Sequence, residues 1–143
     1  MRSKGAPKTP SAKHIAAALE RAWRAIPESR FPEAFTQKRI AIDVQLVRDE
    51  EIAEFNARHM GHADATDVLS FPIGELDRER NTFMLGDILA SFETAQREAR
   101  ERKIPAAEEL LRYVLHGFLH CMNYDDSTPA KRRAMFEVQE RAL

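Results

Sequence analysis

The chain has 143 residues, of which 43% are hydrophobic and 31% are charged, a size and balance typical of a single soluble globular domain. The formal net charge of −1 provides no overall positive field, so any contact with nucleic acid would need a local basic patch. The one cysteine, Cys121, excludes an internal disulfide, and no apolar run approaches the roughly 18 residues of a membrane span. We therefore expect a cytoplasmic protein that has no membrane partner.

The N-terminal part of the chain predicts a tail, a helix and a strand. Residues 1–10 contain lysine, glycine and proline but no apolar stretch, so we predict a disordered tail without a secretory signal, followed by one domain over residues 11–143. Apolar residues recur at helical spacing over residues 11–26, which predicts an amphipathic helix. Residues 40–46 alternate apolar and polar side chains, as in a half-buried strand.

The middle of the chain predicts short elements separated by loops. Asp49 is suited to cap a short helix, and residues 56–66, which show no clear period, predict a loop. Residues 68–71 form an apolar run that we expect to be a strand ended by Pro72. The charged residues 73–81 predict a connecting loop.

The second half of the chain predicts one strand and three helices. The strand covers residues 83–90 and is interrupted by Gly86 and Asp87. Ser91 is expected to cap a helix that runs to about residue 103. Two further helices are expected: one starts near Pro105 and ends near Cys121, and the last follows Pro129. Partly alternating and partly segregated strands and helices indicate an α+β fold, with a small mixed sheet covered by helices.

A histidine pair near the end of the longest predicted helix is the strongest chemical signal. His116 and His120 are four residues apart and lie on one helix face, so two imidazoles can reach one metal ion. Asn123 tolerates the left-handed conformation that ends a helix, and a turn there would bring Asp125 or Asp126 back toward the histidines. Two histidines and one carboxylate leave a position open for water, as in catalytic metal sites.

The histidine pair also has simpler explanations. Histidines at this spacing arise by chance on many helices, so the pair alone does not establish a metal site. Residue 117 is glycine rather than the glutamate that serves as general base in zinc proteases, which disfavours a protease. Glu109 and Arg112 extend the pair into a polar lane along the helix, beside an apolar face, so the predicted site lies at the edge of the core.

Three blocks of sequence resemble the YbeY family of bacterial endoribonucleases. The family signature His-Gly-x-Leu-His-Leu-x-Gly-Tyr-Asp-His stands here as His-Gly-Phe-Leu-His-Cys-Met-Asn-Tyr-Asp-Asp over residues 116–126. The block Thr-Asp-Val-Leu-Ser-Phe-Pro is intact at residues 66–72, and Leu-Gly-Asp-Ile stands at residues 85–88. The resemblance extends from about residue 40 to the end of the sequence, with the blocks in the family's order and spacing.

The resemblance implies a metal-dependent, single-strand-specific endoribonuclease that acts in ribosomal RNA processing and ribosome quality control. The expected partners are ribosomal RNA and the small ribosomal subunit, and no DNA partner is expected. Carried over position by position, the family's motif makes His116, His120 and Asp126 the metal ligands and the catalytic residues. The expected cofactor is one divalent metal, Zn²⁺.

Three positions depart from the family pattern. Asp126 replaces the third histidine ligand; a carboxylate is an accepted ligand, and its harder oxygen favours manganese or iron more than an all-histidine site would. Asn123 replaces a glycine, which is a mild change at a helix end. Met60 stands where the family has a functional arginine, so a cation that would stabilise transition-state charge is missing. Arg58 is nearby, but adjacent helical positions already point about 100° apart, so it is not assured to replace the missing cation.

Several polar residues keep both a structural and a functional interpretation. Asp87, inside an apolar strand, is expected either to accept a hydrogen bond from a ligand histidine or to bind nearby backbone NH groups. The other candidates are expected to be structural or solvated at least as often as functional: Ser70, His59, His62, Tyr124, Lys131, Arg132 and Arg133.

Two further hypotheses compete with the endoribonuclease. One is a catalytically weak or inactive ribosome-associated binding protein that keeps the fold, which Met60 and Asp126 favour. The other is a metal hydrolase that acts on a different phosphoester.

Overall fold

A computed structural model of the protein describes residues 9–27, 39–60 and 67–143. The described residues form five helices and three strands, which confirms the predicted α+β class with a small mixed sheet. In chain order these elements are α1 (Ala12–Ala25), β1 (Arg39–Val47), α2 (Asp49–Met60), β2 (Val68–Asp77), β3 (Thr82–Ser91), α3 (Phe92–Arg102), α4 (Ala106–Cys121) and α5 (Pro129–Arg141). Most of the predicted tail, residues 1–8, lies outside the described residues, and Pro10 is buried.

The sheet has the order β1-β3-β2, with β1 parallel and β2 antiparallel to the central strand β3. Helix α4 packs on β2 and β3 and is flanked by α1, α3 and α5. Its residues Val114, Leu115 and Leu119 are fully buried in the main core. Because α4 is contacted from several directions, the side chains that it carries at the edge of the core are held in fixed positions.

The close approach of α4 to the sheet is made at Gly117. A Cβ atom at this position would lie 3.0 Å from Cγ2 of Ile88 and 3.3 Å from Cγ2 of Val68. The glycine therefore lets the helix lie directly on the sheet, and a glutamate there would push the two layers apart. This packing gives a structural reason why the zinc-protease pattern, with its glutamate at this position, does not fit the fold.

The predicted loop at residues 56–66 is wrong at its start, because α2 continues to Met60. Contacts between residues four apart support this last turn: Arg58 pairs with Glu54 at 2.6 Å, and His59 stacks on Phe55 with ring centroids 5.4 Å apart. Such lateral pairs stabilise a helix without an apolar period, which is why periodicity did not reveal it. Residues 61–66 lie outside the described residues.

Strand β2 does not end at Pro72, as predicted, but continues to Asp77, so the predicted loop over residues 73–81 is also wrong. The pairing with β3 shifts register between Pro72 and Glu75, and Gly74 within the shift has φ 68°. Proline is tolerated in an edge strand and at a bulge, because its missing N–H then removes no regular ladder bond. The bulge thus allows the strand to continue.

Strand β3 is continuous through Gly86 and Asp87, where an interruption was predicted. The irregularity instead appears in the pairing, since the register with β1 shifts opposite Gly86. A Cβ at Gly86 would lie 2.7 Å from the carbonyl oxygen of Phe71 and 2.8 Å from Sγ of Cys121. The glycine is therefore required by close packing, and the buried thiol is part of the core, as predicted.

The predicted helix starts are confirmed for the second half of the chain. Ser91 caps α3 by accepting a hydrogen bond from the backbone N–H of Thr94 at 3.1 Å, and α4 begins directly after Pro105. Helix α5 starts at Pro129, with Thr128 as its N-cap. None of the helices in the described part of the chain is long and apolar enough to cross a bilayer.

Candidate metal centre

Three predicted ligands come together at the C-terminal end of α4. Candidate ligand atoms of His116, His120 and Asp126 all lie within 4.8 Å of one another. The two histidine Nε2 atoms are 3.0 Å apart, and Nε2 of His116 is 3.8 Å from Oδ2 of Asp126. The histidines are half-buried and the carboxylate is exposed, so the group is held by the fold yet open to solvent.

The turn after α4 brings the acidic segment back to the histidines. Asn123 adopts the left-handed conformation, with φ 66°, as predicted. The backbone N–H of Tyr124 then donates to the carbonyl of Leu119 at 2.9 Å, and the N–H of Asn123 donates to the carbonyl of His120 at 3.1 Å. These bonds satisfy carbonyls left free at the helix end and reverse the chain direction.

The structure distinguishes the two neighbouring aspartates. Asp125 accepts hydrogen bonds from the backbone N–H and the hydroxyl of Ser127, at 3.0 and 2.6 Å, and lies 3.3 Å from Nζ of Lys131. The hydrogen bonds from Ser127 come first among the causes that lower the pKa of Asp125 to about 2. Asp125 therefore shapes the turn before α5, and Asp126 is the carboxylate that faces the histidines.

The Nδ1 atom of His120, called here its outer nitrogen, is a hydrogen-bond donor. Its Nδ1 lies 3.1 Å from the backbone carbonyl oxygen of Tyr124. A carbonyl oxygen can only accept, so Nδ1 of His120 carries the proton. In the neutral ring, Nε2 is then the unprotonated nitrogen that presents a lone pair.

The outer nitrogen of His116, its Nδ1, is also a donor, and two successive hydrogen bonds show this. Its Nδ1 lies 3.2 Å from Oε1 of Gln139, whose amide nitrogen donates to Oε2 of Glu140 at 3.2 Å. That donor bond to a carboxylate fixes the orientation of the amide, so its oxygen faces His116 and Nδ1 must donate. Arg112 donates to both carboxylate oxygens of Glu140, at 3.0 and 3.1 Å, and so holds α5 against α4.

Two histidine lone pairs are consequently aimed at each other. With Nδ1 protonated in both rings, each Nε2 is an acceptor, and the 3.0 Å between them contains no donor when both rings are neutral. Burial, followed by the positive charge that His120 would carry, lowers the pKa of His116, so the neutral form is favoured. Two converging imidazole nitrogens beside a carboxylate match the donor set of a divalent transition metal.

The partners of the two histidine Nδ1 atoms were only partly predicted. Asp87 was one candidate partner for a ligand histidine, but Gln139 and the carbonyl of Tyr124 occupy those places. Gln139 was missed because it lies on a different helix, and nothing in its local sequence marks it. Arg112 and Glu109 were predicted in one polar lane, and they are ion-paired at 3.6 Å. Glu109 is buried and also pairs with Arg102 at 2.7 Å.

The remaining predicted candidates lie elsewhere or outside the described residues. His59 is exposed; its ring stacks on Phe55, with centroids 5.4 Å apart, and meets the ring of Phe71 edge to face, with centroids 6.0 Å apart. His62 lies outside the described residues, and Tyr124 is buried in the main core. The backbone carbonyl of Tyr124 nevertheless contacts the histidine pair, through Nδ1 of His120.

Comparison with known proteins identifies relatives over most of this chain. The YbeY family model, described as endoribonuclease YbeY, matches residues 8–143. An endoribonuclease YbeY of Persephonella marina is 36% identical over 102 residues, which are 71% of this chain and 67% of that protein. Another, of Maricaulis maris, is 38% identical over 102 residues, which are 71% of this chain and 61% of that protein.

A third relative and a solved structure extend the comparison. An endoribonuclease YbeY of an Anaeromyxobacter species is 42% identical over 94 residues, covering 66% of this chain and 48% of that protein. The chain thus spans about half to two thirds of the length of these three curated relatives. The solution structure of TM1509 from Thermotoga maritima aligns with a TM-score of 0.55 and 25% identity, over 95% of this chain and 83% of the other.

Proposed function

The chain belongs to the endoribonuclease YbeY family, and from that premise we propose that it is a metal-dependent endoribonuclease that cuts single-stranded RNA. The observation that carries the proposal is the pair of Nε2 atoms of His116 and His120, 3.0 Å apart, with no proton available between two neutral rings. A cation between them would remove the repulsion of the two lone pairs. Asp126 supplies negative charge beside the same point.

Each residue of the site would contribute one ligand atom to the metal. His116 and His120 would bind through Nε2, because their Nδ1 atoms are engaged with Gln139 and with the carbonyl of Tyr124. Asp126 would be the third ligand. A bound divalent metal supplies Lewis-acid chemistry, which activates water and neutralises charge on a phosphate oxygen. The exposed carboxylate lies on the solvent side, where a strand of RNA has access.

Finer features of the proposal follow from the family resemblance. We infer that the metal is Zn²⁺, that the substrate is ribosomal RNA and the partner is the small ribosomal subunit, and that the protein acts in the cytoplasm in rRNA processing and ribosome quality control. Two histidines and one carboxylate are an accepted zinc set. The carboxylate also suits manganese or iron better than a third histidine would.

A second candidate is a ribosome-associated RNA-binding protein that cleaves slowly or not at all. Met60, at the end of α2, occupies the position where the resemblance calls for an arginine. Losing one group that stabilises transition-state charge costs roughly 10²–10³ in rate. The two candidates share the metal and the fold, so only the rate of cleavage separates them.

The test measures metal content and RNA cleavage on the same samples. We expect about one divalent metal per chain, and cleavage of a single-stranded RNA but not of the same strand in a duplex. A chelator should stop cleavage, and His120→Ala should lose both metal and cleavage. His14→Ala is the matched control, because His14 is an exposed helical histidine far along the chain from the site, and it should change neither.

The outcomes separate the candidates. Full metal content in His120→Ala would remove the site from consideration. Metal with RNA binding but without cleavage would favour the binding protein. Met60→Arg distinguishes a weakened enzyme from an inactive one, since it should raise the cleavage rate only in the former.

A further inference from the structure

A cleft lies between the histidine–aspartate group and helix α5. Its volume is about 440 Å³, and one side is formed by His116 and Asp126. The α5 side carries Arg132, Arg133 and Phe136. A cleft of this volume falls within the range of small-molecule sites, roughly 300–1,000 Å³, so it has room for part of a nucleic-acid strand beside the group that would perform the reaction.

The two arginines of the cleft lack carboxylate partners among the described residues. The guanidinium of Arg132 donates only to the backbone carbonyl of Asp126, at 3.4 Å. Arg133 is exposed and forms no ion pair within the described part of the chain. Their neighbour Lys131 differs, because it pairs with Asp125 at 3.3 Å. Two positive charges are therefore available to an anion at the cleft.

An aromatic ring lies between these charges. Phe136 is 57% exposed, the highest value among the exposed large hydrophobic residues described. It is four residues after Arg132 and three after Arg133, so on a helix it lies on the surface between them. An exposed apolar ring costs solvation and provides a flat surface on which a base can stack.

We propose that the α5 side of this cleft binds a nucleotide of single-stranded RNA next to the bond that is cut. Phe136 stacks on a base, and Arg132 and Arg133 contact the flanking phosphates. The combination favours RNA over a protein partner, because two free guanidiniums around one ring suit a polyanion with flat bases. This inference rests on the proposed function for its position beside the metal ligands, and it deepens that function by naming how the strand is held.

The test measures binding of a fluorescein-labelled single-stranded RNA of about 12 nucleotides, within the usual site size of roughly 4–16. Anisotropy is read within seconds of mixing with the metal-loaded protein, and a gel of the same sample confirms that the strand is not yet cut. Phe136→Ala should weaken binding by about 5- to 150-fold. Phe136→Leu keeps an apolar side chain without a flat ring and should also weaken binding, whereas Phe136→Tyr should bind nearly as well as wild type.

The charge contribution is measured separately through salt. For single strands, the slope of log K against log salt changes by about 0.7 per phosphate contact. The double variant Arg132→Gln/Arg133→Gln should therefore flatten the slope by about 1.4, and Phe136→Ala should leave it unchanged. Arg141→Gln is the matched control, because Arg141 is exposed on the same helix and does not line the cleft.

The outcomes are distinct from those that decide the nuclease proposal. Cleavage at the wild-type rate and unchanged RNA binding in the α5 variants would overturn the proposed RNA-binding surface. The nuclease proposal would be unaffected. Weakened binding in these variants would support the surface even if wild type does not cleave. No binding of single-stranded RNA to wild type, or a Phe136→Leu variant that binds normally, would also overturn it.

Discussion

Two polar clusters of similar size join separate segments of this molecule. One is the histidine–aspartate group at the end of α4. The other joins the start of α2 to the start of α3 and consists of Asp49, Ser91, Thr94 and Arg97. Both link separate helices through side chains, and both contain a carboxylate. They differ in whether each acceptor has found a donor.

The Asp49 cluster is complete. One carboxylate oxygen accepts from the hydroxyls of Ser91 and Thr94, and the other accepts from Arg97 at 2.6 Å. Burial raises the pKa of Asp49, but the hydrogen bonds from these three residues outweigh it and the pKa is lowered. A cluster whose charges and hydrogen bonds are matched within the protein stabilises the fold and has no need of a ligand.

The histidine cluster lacks a donor only between the two Nε2 atoms. The outer nitrogens of His116 and His120 have partners, while their Nε2 atoms face each other at 3.0 Å. Two neutral rings whose lone pairs converge repel each other, and a cation bound between them would remove that repulsion. The difference between the clusters indicates that unmatched acceptors held in place by matched neighbours mark a binding site.

Breaking the complete cluster should produce the largest loss of stability. Asp49→Ala leaves the buried hydroxyl of Ser91 without its acceptor and removes the partner of Arg97. Hydrogen bonds to a charged group contribute about 1.5–3 kcal/mol, so the free energy of unfolding should fall by that amount, measured by urea denaturation. Metal content should stay at the wild-type value.

The control for that variant is Asp43→Ala. Asp43 is an exposed carboxylate whose partner is the side chain of Gln45, at 3.2 Å, so the substitution should change stability by less than about 0.5 kcal/mol. Equal losses in the two variants would mean that the Asp49 cluster contributes nothing beyond a surface interaction. Loss of metal in Asp49→Ala would mean that the two clusters are coupled.

The outer partner of His116 provides a sharper test of the incomplete cluster. Gln139→Leu removes the acceptor that fixes the ring, and losing such a partner typically costs about 10- to 100-fold in metal affinity. Competition with a chromophoric chelator should show this loss. Gln139→Glu keeps an acceptor oxygen for His116 but replaces the amide N–H that donates to Glu140 at 3.2 Å with a second carboxylate oxygen, so it should recover the affinity only in part. If Gln139→Leu binds metal as tightly as wild type, the orientation of His116 does not depend on this contact.

Much of the geometry of the candidate metal site was predictable because its signals are local. The spacing of His116 and His120 depends only on the helical repeat, and Asn123 marks the helix end by its own backbone preference. The choice of Asp126 over Asp125 was supported by the resemblance. The structure adds the reason, since Asp125 is engaged with Ser127.

The parts that escaped prediction depend on contacts between distant segments. Gln139 is 23 residues from His116 in sequence, and no local pattern links the two. Strand β2 continues past Pro72 because its pairing with β3 tolerates a bulge there, which propensity alone does not reveal. Likewise α2 is extended by side-chain pairs rather than by an apolar stripe. Sequence patterns therefore located the elements better than their ends.

The smallest expected effect concerns the pH dependence of the Asp49 cluster. Because the folded pKa of Asp49 lies below its ordinary value of 3.8, the folded state holds the carboxylate ionised at a pH where the unfolded chain takes up a proton. This contribution is fully present above pH 3.8 and is lost as the pH falls through the lower, folded pKa. The stability advantage of wild type over Asp49→Asn should therefore be constant near pH 6 and shrink below pH 3.8, measured by urea denaturation at each pH. Arg97→Gln removes one cause of the lowered folded pKa, so in that background the advantage should be smaller and its loss should be complete at a higher pH. An advantage that stays constant down to about pH 2, or that grows as the pH falls, would show that the ionised carboxylate is not what holds α2 to α3.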